Sequence, residues 1–339
     1  MQASERVLVT GGLGFIGAPL VHRLAAEGYK VRVLDNGSRG SARRVADIAS
    51  QIEVVTGDIC SLDDVLRATD GCEIVVHLAA VNGTRNFYEK PHRVLEVGVK
   101  GAMNTIEAAL KLGVKRYVAA SSAEVYQQPT SVPTPETERL IVPNVHDPRY
   151  SYGGSKIATE LLTLHYGVHL GLDAVIFRPH NIYGPDMGGE HVIPQFVLRM
   201  KRLSDGGKRN HFAFPIIGSG DETRAFCYID DAVDGILICM RRGQKGNIYH
   251  IGNDREETSI KDLALLTAKA LDLEIDLIPG KQIQQTPRRV PSIAKMQELG
   301  YEPRVSLVQG LSATAQWYWR QDSAQFKEWS EFLKGSAHA

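Results

Sequence analysis

The segment RVLVTGGLGFIG, residues 6–17, decides the predicted fold. Five mostly apolar residues, Arg6–Thr10, are typical of a buried strand, and three glycines follow at a spacing of three: Gly11, Gly14 and Gly17. Glycines between a strand and a helix let the chain turn tightly and let a diphosphate approach the backbone. The helical periodicity of Phe15–Glu27 predicts a helix whose N-terminus favours that negative charge. The segment therefore predicts a dinucleotide-binding strand–turn–helix unit.

Short β-branched apolar runs alternate with longer helical patterns through the first half of the chain, as in parallel βαβ units. The predicted strands are Arg6–Thr10, Lys30–Leu34, Ile52–Thr56, Ile74–Leu78, Arg116–Ala120 and Ala174–Phe177. The predicted crossover helices include Phe15–Glu27, Val94–Leu112 and Tyr152–Leu170. The expected fold class is α/β, a Rossmann-type doubly wound parallel sheet with a smaller C-terminal domain.

The pattern changes after Arg178, where Gly/Pro-rich loops and short elements replace the regular alternation. We expect residues 1–178 to form the cofactor-binding domain, with residues 226–251 returning to it. Residues 179–225 and 252–330 are expected to form the substrate-binding domain.

Composition excludes several classes of protein. The 339 residues carry 39 basic and 39 acidic side chains, which argues against a strongly basic nucleic-acid binder. No apolar run approaches the roughly 20 residues of a membrane-spanning helix, and the first residues do not resemble a secretory signal, so a cytoplasmic location is expected. The four cysteines form no CxxC pair, and neither a metal site nor a disulfide framework is predicted.

An acidic residue marks the predicted choice of cofactor. Asp35 follows Gly17 by 18 residues, near the distance at which a carboxylate accepts hydrogen bonds from the adenosine ribose. The same carboxylate would repel a 2′-phosphate, which favours NAD over NADP. Arg39, Arg43 and Arg44 lie nearby in sequence and keep NADP as the alternative.

Residues after the third and fourth strands are expected along the same cofactor. Asp58 and Ile59 would lie at the adenine edge, although Asp58 is equally suited to cap a helix, and Ala79 and Ala80 would pass the phosphates and ribose. The full set of predicted cofactor-binding residues is Gly11, Gly14, Phe15, Ile16, Gly17, Asp35, Asn36, Asp58, Ile59, Leu78, Ala79, Ala80, Tyr152 and Lys156.

A second pattern predicts acid–base chemistry. Tyr152 and Lys156 are four residues apart at the start of a predicted helix, so their side chains project from one face. An ammonium beside a phenol is expected to lower the pKa of the phenol and make it a base for an alcohol. Ser121 and Ser122 end the fifth strand, at the edge where ligands of such sheets bind, and one hydroxyl there would orient that alcohol.

Six motifs in this order resemble the extended short-chain dehydrogenase/reductase family, specifically its nucleotide-sugar epimerases, dehydratases and decarboxylases. The similarity extends from residue 6 to about residue 320. The motifs that carry it are Thr10–Gly17 (TGGLGFIG), Asp35-Asn36, His77–Ala80 (HLAA), Ser121–Tyr126 (SSAEVY), Tyr152–Lys156 (YGGSK) and Arg178–Pro185 (RPHNIYGP).

The resemblance implies that Ser122, Tyr152 and Lys156 oxidise C4 of a nucleotide sugar with NAD, giving a 4-keto intermediate. Glu124 matches the glutamate that takes the C5 proton in dehydratases. Ala123 occupies the position where that branch often carries an aspartic acid, and decarboxylases acting on UDP-glucuronate share the glutamate. Two further departures are Gly98, where an asparagine is expected, and Gln127, where a glycine is usual.

The resemblance also implies how the nucleotide-diphosphate sugar is bound. Arg224 matches the arginine that clamps the diphosphate, Arg288 matches a second such arginine, and Asn181 matches a residue that hydrogen-bonds it. Either arginine is also compatible with a simple surface charge. Relatives pair through helices equivalent to Val94–Leu112 and Tyr152–Leu170, so a homodimer is expected.

The expected function is a 4,6-dehydratase-type reaction on a nucleotide hexose. The same 4-ketone also leads to C4 epimerisation, to decarboxylation or to release of an oxidised sugar. A protein of a different class, a non-catalytic NAD-binding regulator, has the same fold.

Overall fold

The computed structural model describes residues 4–280 and 286–322, and the chain divides into two compact units. The first unit contains the residues up to 180, residues 229–252 and residues 291–303. The second contains residues 181–228, residues 253–290 and those from 304 onward. The return of residues 291–303 to the first unit was not predicted, and residues 323–330 of the predicted second domain lie outside the described residues.

Strands are distributed over both units. In chain order they are β1 (Arg6–Thr10), β2 (Lys30–Asp35), β3 (Ile52–Thr56), β4 (Ile74–His77), β5 (Arg116–Ala120), β6 (Ala174–Pro179), β7 (Ile182–Tyr183), β8 (His211–Pro215), β9 (Thr223–Ala225), β10 (Cys227–Tyr228), β11 (Ile248–Ile251), β12 (Glu257–Ser259), β13 (Glu274–Ile278) and β14 (Arg288–Arg289).

The α-helices are α1 (Gly17–Ala26), α2 (Leu62–Thr69), α3 (Thr84–Glu89), α4 (Pro91–Leu95), α5 (Gly101–Lys111), α6 (Ser151–Leu161), α7 (Val192–Leu203), α8 (Ile229–Arg242), α9 (Ile260–Lys269), α10 (Ala294–Gln297) and α11 (Leu307–Arg320). Short 3₁₀ segments cover Ala42–Gln51, Ala123–Val125 and Pro148–Tyr150, and π-helical turns cover Glu96–Lys100 and Leu162–Val168. No helix within the two described stretches is long and apolar enough to cross a membrane.

A seven-stranded parallel sheet forms the first unit, in the order β11-β6-β5-β4-β1-β2-β3. This confirms the predicted Rossmann-type sheet. The seventh strand, β11, was not predicted; it pairs with β6 through Ile248 and Ile176. The strand order reverses beside β1, so the carboxyl ends of β1 and β4 border the crevice where ligands of such sheets bind.

The core of this unit lies on both faces of the sheet. Val7, Leu8 and Val9 are completely buried, which explains why β1 is continuously apolar instead of alternating. Each buried aliphatic side chain of this kind contributes about 1.5–3 kcal/mol relative to exposure. These buried strands therefore fix the position of the carboxyl edge of the sheet, where the polar residues lie.

Both long predicted helices contain a π-helical turn. Val94–Leu112 consists of the end of α4, the π turn Glu96–Lys100 and α5, while Tyr152–Leu170 consists of α6 followed by the π turn Leu162–Val168. The predicted periodicity survives this interruption because a π turn adds residues to a helix without ending it.

The described part of the second unit is built from small sheets and three helices. Strand β9 pairs antiparallel with β12 and parallel with β14, and β8 pairs parallel with β13. Helix α11 begins with a capping box in which Ser306 and Gln309 satisfy each other's backbone N–H groups. The loops after Arg178 connect short strands, and strands this short give only a weak pattern in the sequence.

The turn after β1 depends on one glycine. Gly11 has φ +71°, and a Cβ at this position would lie 2.9 Å from the backbone N of Ala79. Two backbone segments therefore meet here with no room for a side chain. Gly113, with φ +67°, has nothing within 4 Å of such a Cβ and provides the comparison.

We predict that Gly11→Ala destabilises the protein more than Gly113→Ala. Both variants carry the left-handed backbone penalty of about 1–2 kcal/mol. Gly11→Ala adds an overpacking cost of about 1–3 kcal/mol. Urea unfolding of both variants without added cofactor measures the difference. Equal unfolding midpoints would show that the contact with Ala79 imposes no constraint.

Candidate active site

The polar residues predicted for the cofactor gather at the carboxyl edge of the sheet. Asp35 ends β2 with both carboxylate oxygens held by backbone N–H groups: Oδ2 accepts from Leu13 at 3.1 Å and Oδ1 accepts from Gly37 at 2.9 Å. The carboxylate is fixed beside the glycine turn. Arg44 donates to the carbonyl of Leu13 at 3.0 Å, beside the same turn.

The residues after β3 form a small polar cluster. Asp58 Oδ1 accepts from the Cys60 N–H at 2.9 Å, and Oδ2 lies 3.4 Å from an Arg93 guanidinium nitrogen and 3.5 Å from Asn36 Nδ2. Ile59 is buried, and its carbonyl accepts from Asn104 Nδ2 at 2.8 Å. Asp58 does not cap α2, because Ser61 performs that role.

The segment after β4 runs close to the glycine turn. Leu78 donates its N–H to the carbonyl of Thr10 at 3.1 Å, and the Ala79 N–H donates to Thr10 Oγ1 at 3.3 Å. Ala80 packs against the apolar cluster that contains Phe87 and Tyr152. This segment therefore connects the predicted cofactor residues with the predicted catalytic tyrosine.

These features fit a bound dinucleotide. Helix α1 begins at Gly17, directly after the glycine turn, and no side chain of the described residues caps its N-terminus, so the helix dipole favours an anionic group there. A side chain at Gly11 would collide with the backbone of Ala79, and one at Gly17 would collide with the carbonyl of Gly11. The turn in front of the helix therefore has room only for glycine at these two positions. The fixed carboxylate of Asp35 lies one strand away and is suited to ribose hydroxyls.

Ser122 and Glu124 lie just beyond β5. Ser122 is extended and begins a 3₁₀ turn, Ala123–Val125, in which its hydroxyl accepts from the Glu124 N–H at 3.2 Å. Glu124 Oε2 lies 3.2 Å from an Arg149 guanidinium nitrogen. The backbone after Ser122 is therefore a 3₁₀ turn and not a continuation of β5. The ion pair with Arg149 was not predicted.

Tyr152 and Lys156 lie on the first turns of α6 and are buried. The Tyr152 ring stacks on Phe87 with centroids 5.4 Å apart and an interplanar angle of 16°. Lys156 Nζ donates to the carbonyl of Ala120 at 2.8 Å and lies 5.9 Å from the centroid of the Tyr152 ring. The helix thus brings both side chains against the end of β5.

The expected direction of the Tyr152 pKa was wrong. Burial raises the pKa of Tyr152 to about 12, and the charge of Glu124 adds to this, while a hydrogen bond from Ser122 acts in the opposite direction. Burial lowers the pKa of Lys156 to about 8. Burial removes the hydration that would stabilise the phenolate and so raises the pKa of Tyr152. The Lys156 ammonium, which donates its hydrogen bond to the carbonyl of Ala120, does not offset this effect.

The two departures from the family pattern have structural explanations. A Cβ at Gly98 would lie 2.6 Å from Ser155 Oγ, so Ser155 fills the space of the expected asparagine. Gln127 adopts φ 54°, a conformation that favours glycine, and its Nε2 donates to the carbonyl of Glu124 at 2.5 Å. Gly153 lies directly against Gln127 and that carbonyl. Both substitutions are therefore accommodated beside the site.

A buried ionic network behind Ser122 was also missed. Arg178 donates to Glu160 from Nε at 2.7 Å and from a terminal nitrogen at 2.6 Å, and Ser121 Oγ donates to the same carboxylate at 2.5 Å. Glu160 follows Lys156 by four residues. A search for a third polar residue in the row formed by Tyr152 and Lys156 would have found it.

The predicted substrate residues lie in the second unit. Arg224 on β9 donates to the carbonyl of Thr223 at 2.7 Å, and Asn181 Nδ2 donates to the carbonyl of Ala225 at 2.9 Å. Arg288 on β14 pairs with both carboxylate oxygens of Glu257, at 2.6 and 2.7 Å. Asn181 and Arg224 are therefore associated with the same strand, while Arg288 is engaged in an ion pair.

Comparison with known proteins identifies related sequences. The model of the NAD dependent epimerase/dehydratase family matches residues 7–252. The chain is similar to the UDP-N-acetyl-alpha-D-glucosaminuronate decarboxylase of Bacillus cytotoxicus, with 30% identity over 93% of this chain and 98% of that protein. It is equally similar to the dTDP-glucose 4,6-dehydratase of Streptomyces niveus, with 30% identity over 98% of this chain and 97% of that protein.

The chain is also similar to solved structures of a nucleotide-sugar dehydratase and a nucleotide-sugar epimerase. The dTDP-glucose 4,6-dehydratase of Streptomyces venezuelae, crystallised with NAD bound, superimposes with a TM-score of 0.82 at 29% identity, covering 95% of this chain and 99% of that one. The UDP-glucose 4-epimerase of Thermotoga maritima, crystallised with UDP-glucose, gives a TM-score of 0.80 at 29% identity, covering 92% and 98%.

We predict that Asp35 determines selection between NAD and NADP. Asp35→Ala should weaken NAD binding about ten- to a hundredfold, the loss expected for hydrogen bonds to a charged group. The preference against NADP should shrink, because the repulsive charge is removed. Calorimetric titration of both cofactors measures this, with Asp35→Asn as the variant that removes charge but retains size. Wild-type protein that binds NADP more tightly than NAD would refute the assignment.

Proposed function

Because the chain belongs to the NAD dependent epimerase/dehydratase family, we propose that it oxidises C4 of a nucleotide-activated hexose and then eliminates water across C5 and C6. The single observation that carries this proposal is the carboxylate of Glu124, two residues beyond Ser122 and near enough to Tyr152 to raise its pKa. A carboxylate beside the C4-oxidising residues is what C5 chemistry requires.

NAD supplies the hydride acceptor for this oxidation. The residues that would hold it are the N-terminus of α1 for the diphosphate, Asp35 for the adenosine ribose, and Asp58 and Ile59 at the adenine. Ala79 and Ala80 would line its middle, and Lys156 would hold the second ribose. This assignment is supported by the close approach of Gly11 to Ala79 and by the fixed Asp35 carboxylate.

Proton transfer at C4 is assigned to Tyr152. Ser122 would hold the C4 hydroxyl while Tyr152 Oη accepts its proton. A phenol with a pKa of about 12 is a weak base near neutral pH, so this step requires a positive charge close to Tyr152 Oη. Lys156 Nζ lies 5.9 Å from the centroid of the Tyr152 ring, and the charge of Arg39 lowers the pKa of Tyr152.

The 4-ketone makes the C5 proton acidic, and Glu124 would remove it. Electrons from the C5–H bond form a C5–C6 double bond as the C6 hydroxide leaves. The hydride removed from C4 would then add to C6 while a proton from solvent adds to C5, so that the oxidation is balanced and C5 carries solvent hydrogen. Glu124 is held by Arg149, whose guanidinium also lies over the Phe87 ring at 5.5 Å from its centroid. With Ala123 in place of an acid, the departing hydroxide would take the proton that Glu124 removed from C5.

Decarboxylation is a second candidate, favoured by Arg149. Its guanidinium has five N–H donors and makes one side-chain hydrogen bond to the described residues, to Glu124, and the Arg149 side chain is 29% exposed. Its other donors are suited to a C6 carboxylate on the sugar. A 4-keto sugar with that carboxylate is a β-keto acid, which loses carbon dioxide without an acid at position 123.

Residues of the second unit would bind the nucleotide diphosphate. Arg224 on β9 is proposed as the main phosphate ligand, and Asn181, which contacts the same strand through the carbonyl of Ala225, as a hydrogen-bond donor. Arg288 would have to exchange its Glu257 partner for phosphate, so its contribution is expected to be smaller. The homodimer through α5 and α6 remains a prediction.

We predict that Tyr152→Phe abolishes turnover while NAD still binds. The change removes the proton acceptor and retains the ring that stacks on Phe87. Turnover should fall by about 10²–10⁴-fold. The measurement is product formation by mass spectrometry together with calorimetric NAD binding. The exposed Tyr88→Phe is the control. Normal turnover of Tyr152→Phe would remove the tyrosine from the mechanism.

We predict that Glu124→Gln stops the chemistry after the 4-ketone. In deuterium oxide the wild-type product should carry solvent deuterium at C5, and the variant should accumulate 4-keto sugar instead, with product formation reduced about 100-fold or more. Mass spectrometry on nucleotide hexoses and nucleotide hexuronates distinguishes loss of water from loss of carbon dioxide.

Glu89→Gln, which changes an exposed glutamate paired with Arg85, is the matched control. Arg149→Met separates the two candidates: it should raise KM for a hexuronate and leave KM for a neutral hexose nearly unchanged. A wild-type product without solvent deuterium would exclude both candidates and support C4 epimerisation or simple oxidation.

A further inference from the structure

The end of β5 is joined to α6 at three successive residues. Three side chains of α6 make these contacts, each with a different residue of the β5 end. They are spaced four residues apart and therefore lie in one row on the helix. The pairs are Lys156 with the carbonyl of Ala120, Glu160 with the hydroxyl of Ser121, and Tyr152 with the hydroxyl of Ser122. The first and third pairs belong to the proposed mechanism, and the second has no role in it.

We propose that Glu160 is a positioning residue whose carboxylate holds β5 against α6 and keeps the Lys156 ammonium charged. The proposal rests on the role of Lys156 in the proposed function. Glu160 touches neither substrate nor cofactor in that function, so it acts through Ser121 and Lys156.

The carboxylate of Glu160 is the partner of a buried guanidinium. Its side chain is 3% exposed and faces the two-point contact of Arg178, which is itself 2% exposed. Arg178 also donates to the Tyr126 hydroxyl and, at 2.9 Å, to the carbonyl of Glu136. A buried guanidinium of this kind needs a carboxylate partner, and the Ser121 hydroxyl occupies a further lone pair of that carboxylate.

Lys156 faces three titratable groups. Tyr152 lies on the same helix, and Glu160 lies one turn further along it. His77 comes from β4; burial lowers the pKa of His77 to about 3, so it is neutral at neutral pH. Glu160 is therefore the negative charge that opposes the effect of burial on the pKa of Lys156, which stands at about 8.

The test is the pH dependence of NAD binding, measured by calorimetry across the neutral and alkaline range, together with the pH profile of turnover. Wild-type affinity should fall as Lys156 loses its proton. In Glu160→Gln the midpoint of that fall should move to lower pH by about one unit or more, because the opposing charge has been removed. Glu160→Asp keeps the charge, so it should retain the wild-type midpoint while turnover falls, because the shorter side chain withdraws from Ser121.

Glu160→Gln leaves Arg178 without its partner, so the double variant Glu160→Gln/Arg178→Met covers the case in which the single variant does not fold. The midpoint should again move to lower pH, but by less, because a positive charge has also been removed. Glu107→Gln on α5 is the matched control and should leave the midpoint unchanged.

Lowered stability with an unmoved midpoint would overturn the proposal and assign Glu160 a purely structural role. A wild-type affinity with no alkaline fall would overturn both this proposal and the role of Lys156.

Discussion

A buried charge must be neutralised where it lies, and this constraint links the elements around the candidate active site. Glu160 on α6 and Arg178 on β6 are almost completely buried and neutralise each other through two hydrogen bonds. Ser121, at the end of β5, completes the carboxylate's contacts. Strand β6 therefore fixes α6, and α6 fixes the end of β5. The positions of Ser122, Tyr152 and Lys156 follow from that arrangement.

A second constraint operates at the cofactor end. The turn after β1 lies against the segment after β4, with Gly11 in contact with the backbone of Ala79. Thr10 reinforces the approach, since its carbonyl and hydroxyl accept the N–H groups of Leu78 and Ala79. Ala80 then packs on the cluster that contains Tyr152. The same short segment thus connects the region suited to a diphosphate with the region suited to proton transfer.

In the proposed function, the step after C4 oxidation is assigned to one carboxylate and its surroundings. Glu124 lies between Ser122 and Arg149, and relatives of equal identity include a decarboxylase and a 4,6-dehydratase. A guanidinium beside the carboxylate offers donors to a second anion. Arg149 is therefore the residue that we propose to distinguish loss of water from loss of carbon dioxide.

The sequence by itself determined the fold class and the family, because alternating strand and helix patterns and the glycine turn are local signals. Five of the six predicted strands begin and end within one residue of those observed, and Ala174–Phe177 extends by two. The spacing of Tyr152 and Lys156 also determined that they share a helix face. Strand β11 was missed because it is four residues long and pairs with β6 across about seventy residues of chain.

Only the tertiary structure decided the partners of the charged groups. Arg149 with Glu124, Glu160 with Arg178 and Arg288 with Glu257 are contacts between residues distant in sequence. The raised pKa of Tyr152 has the same origin, since burial and the charges around a phenol are properties of packing that residue spacing does not contain.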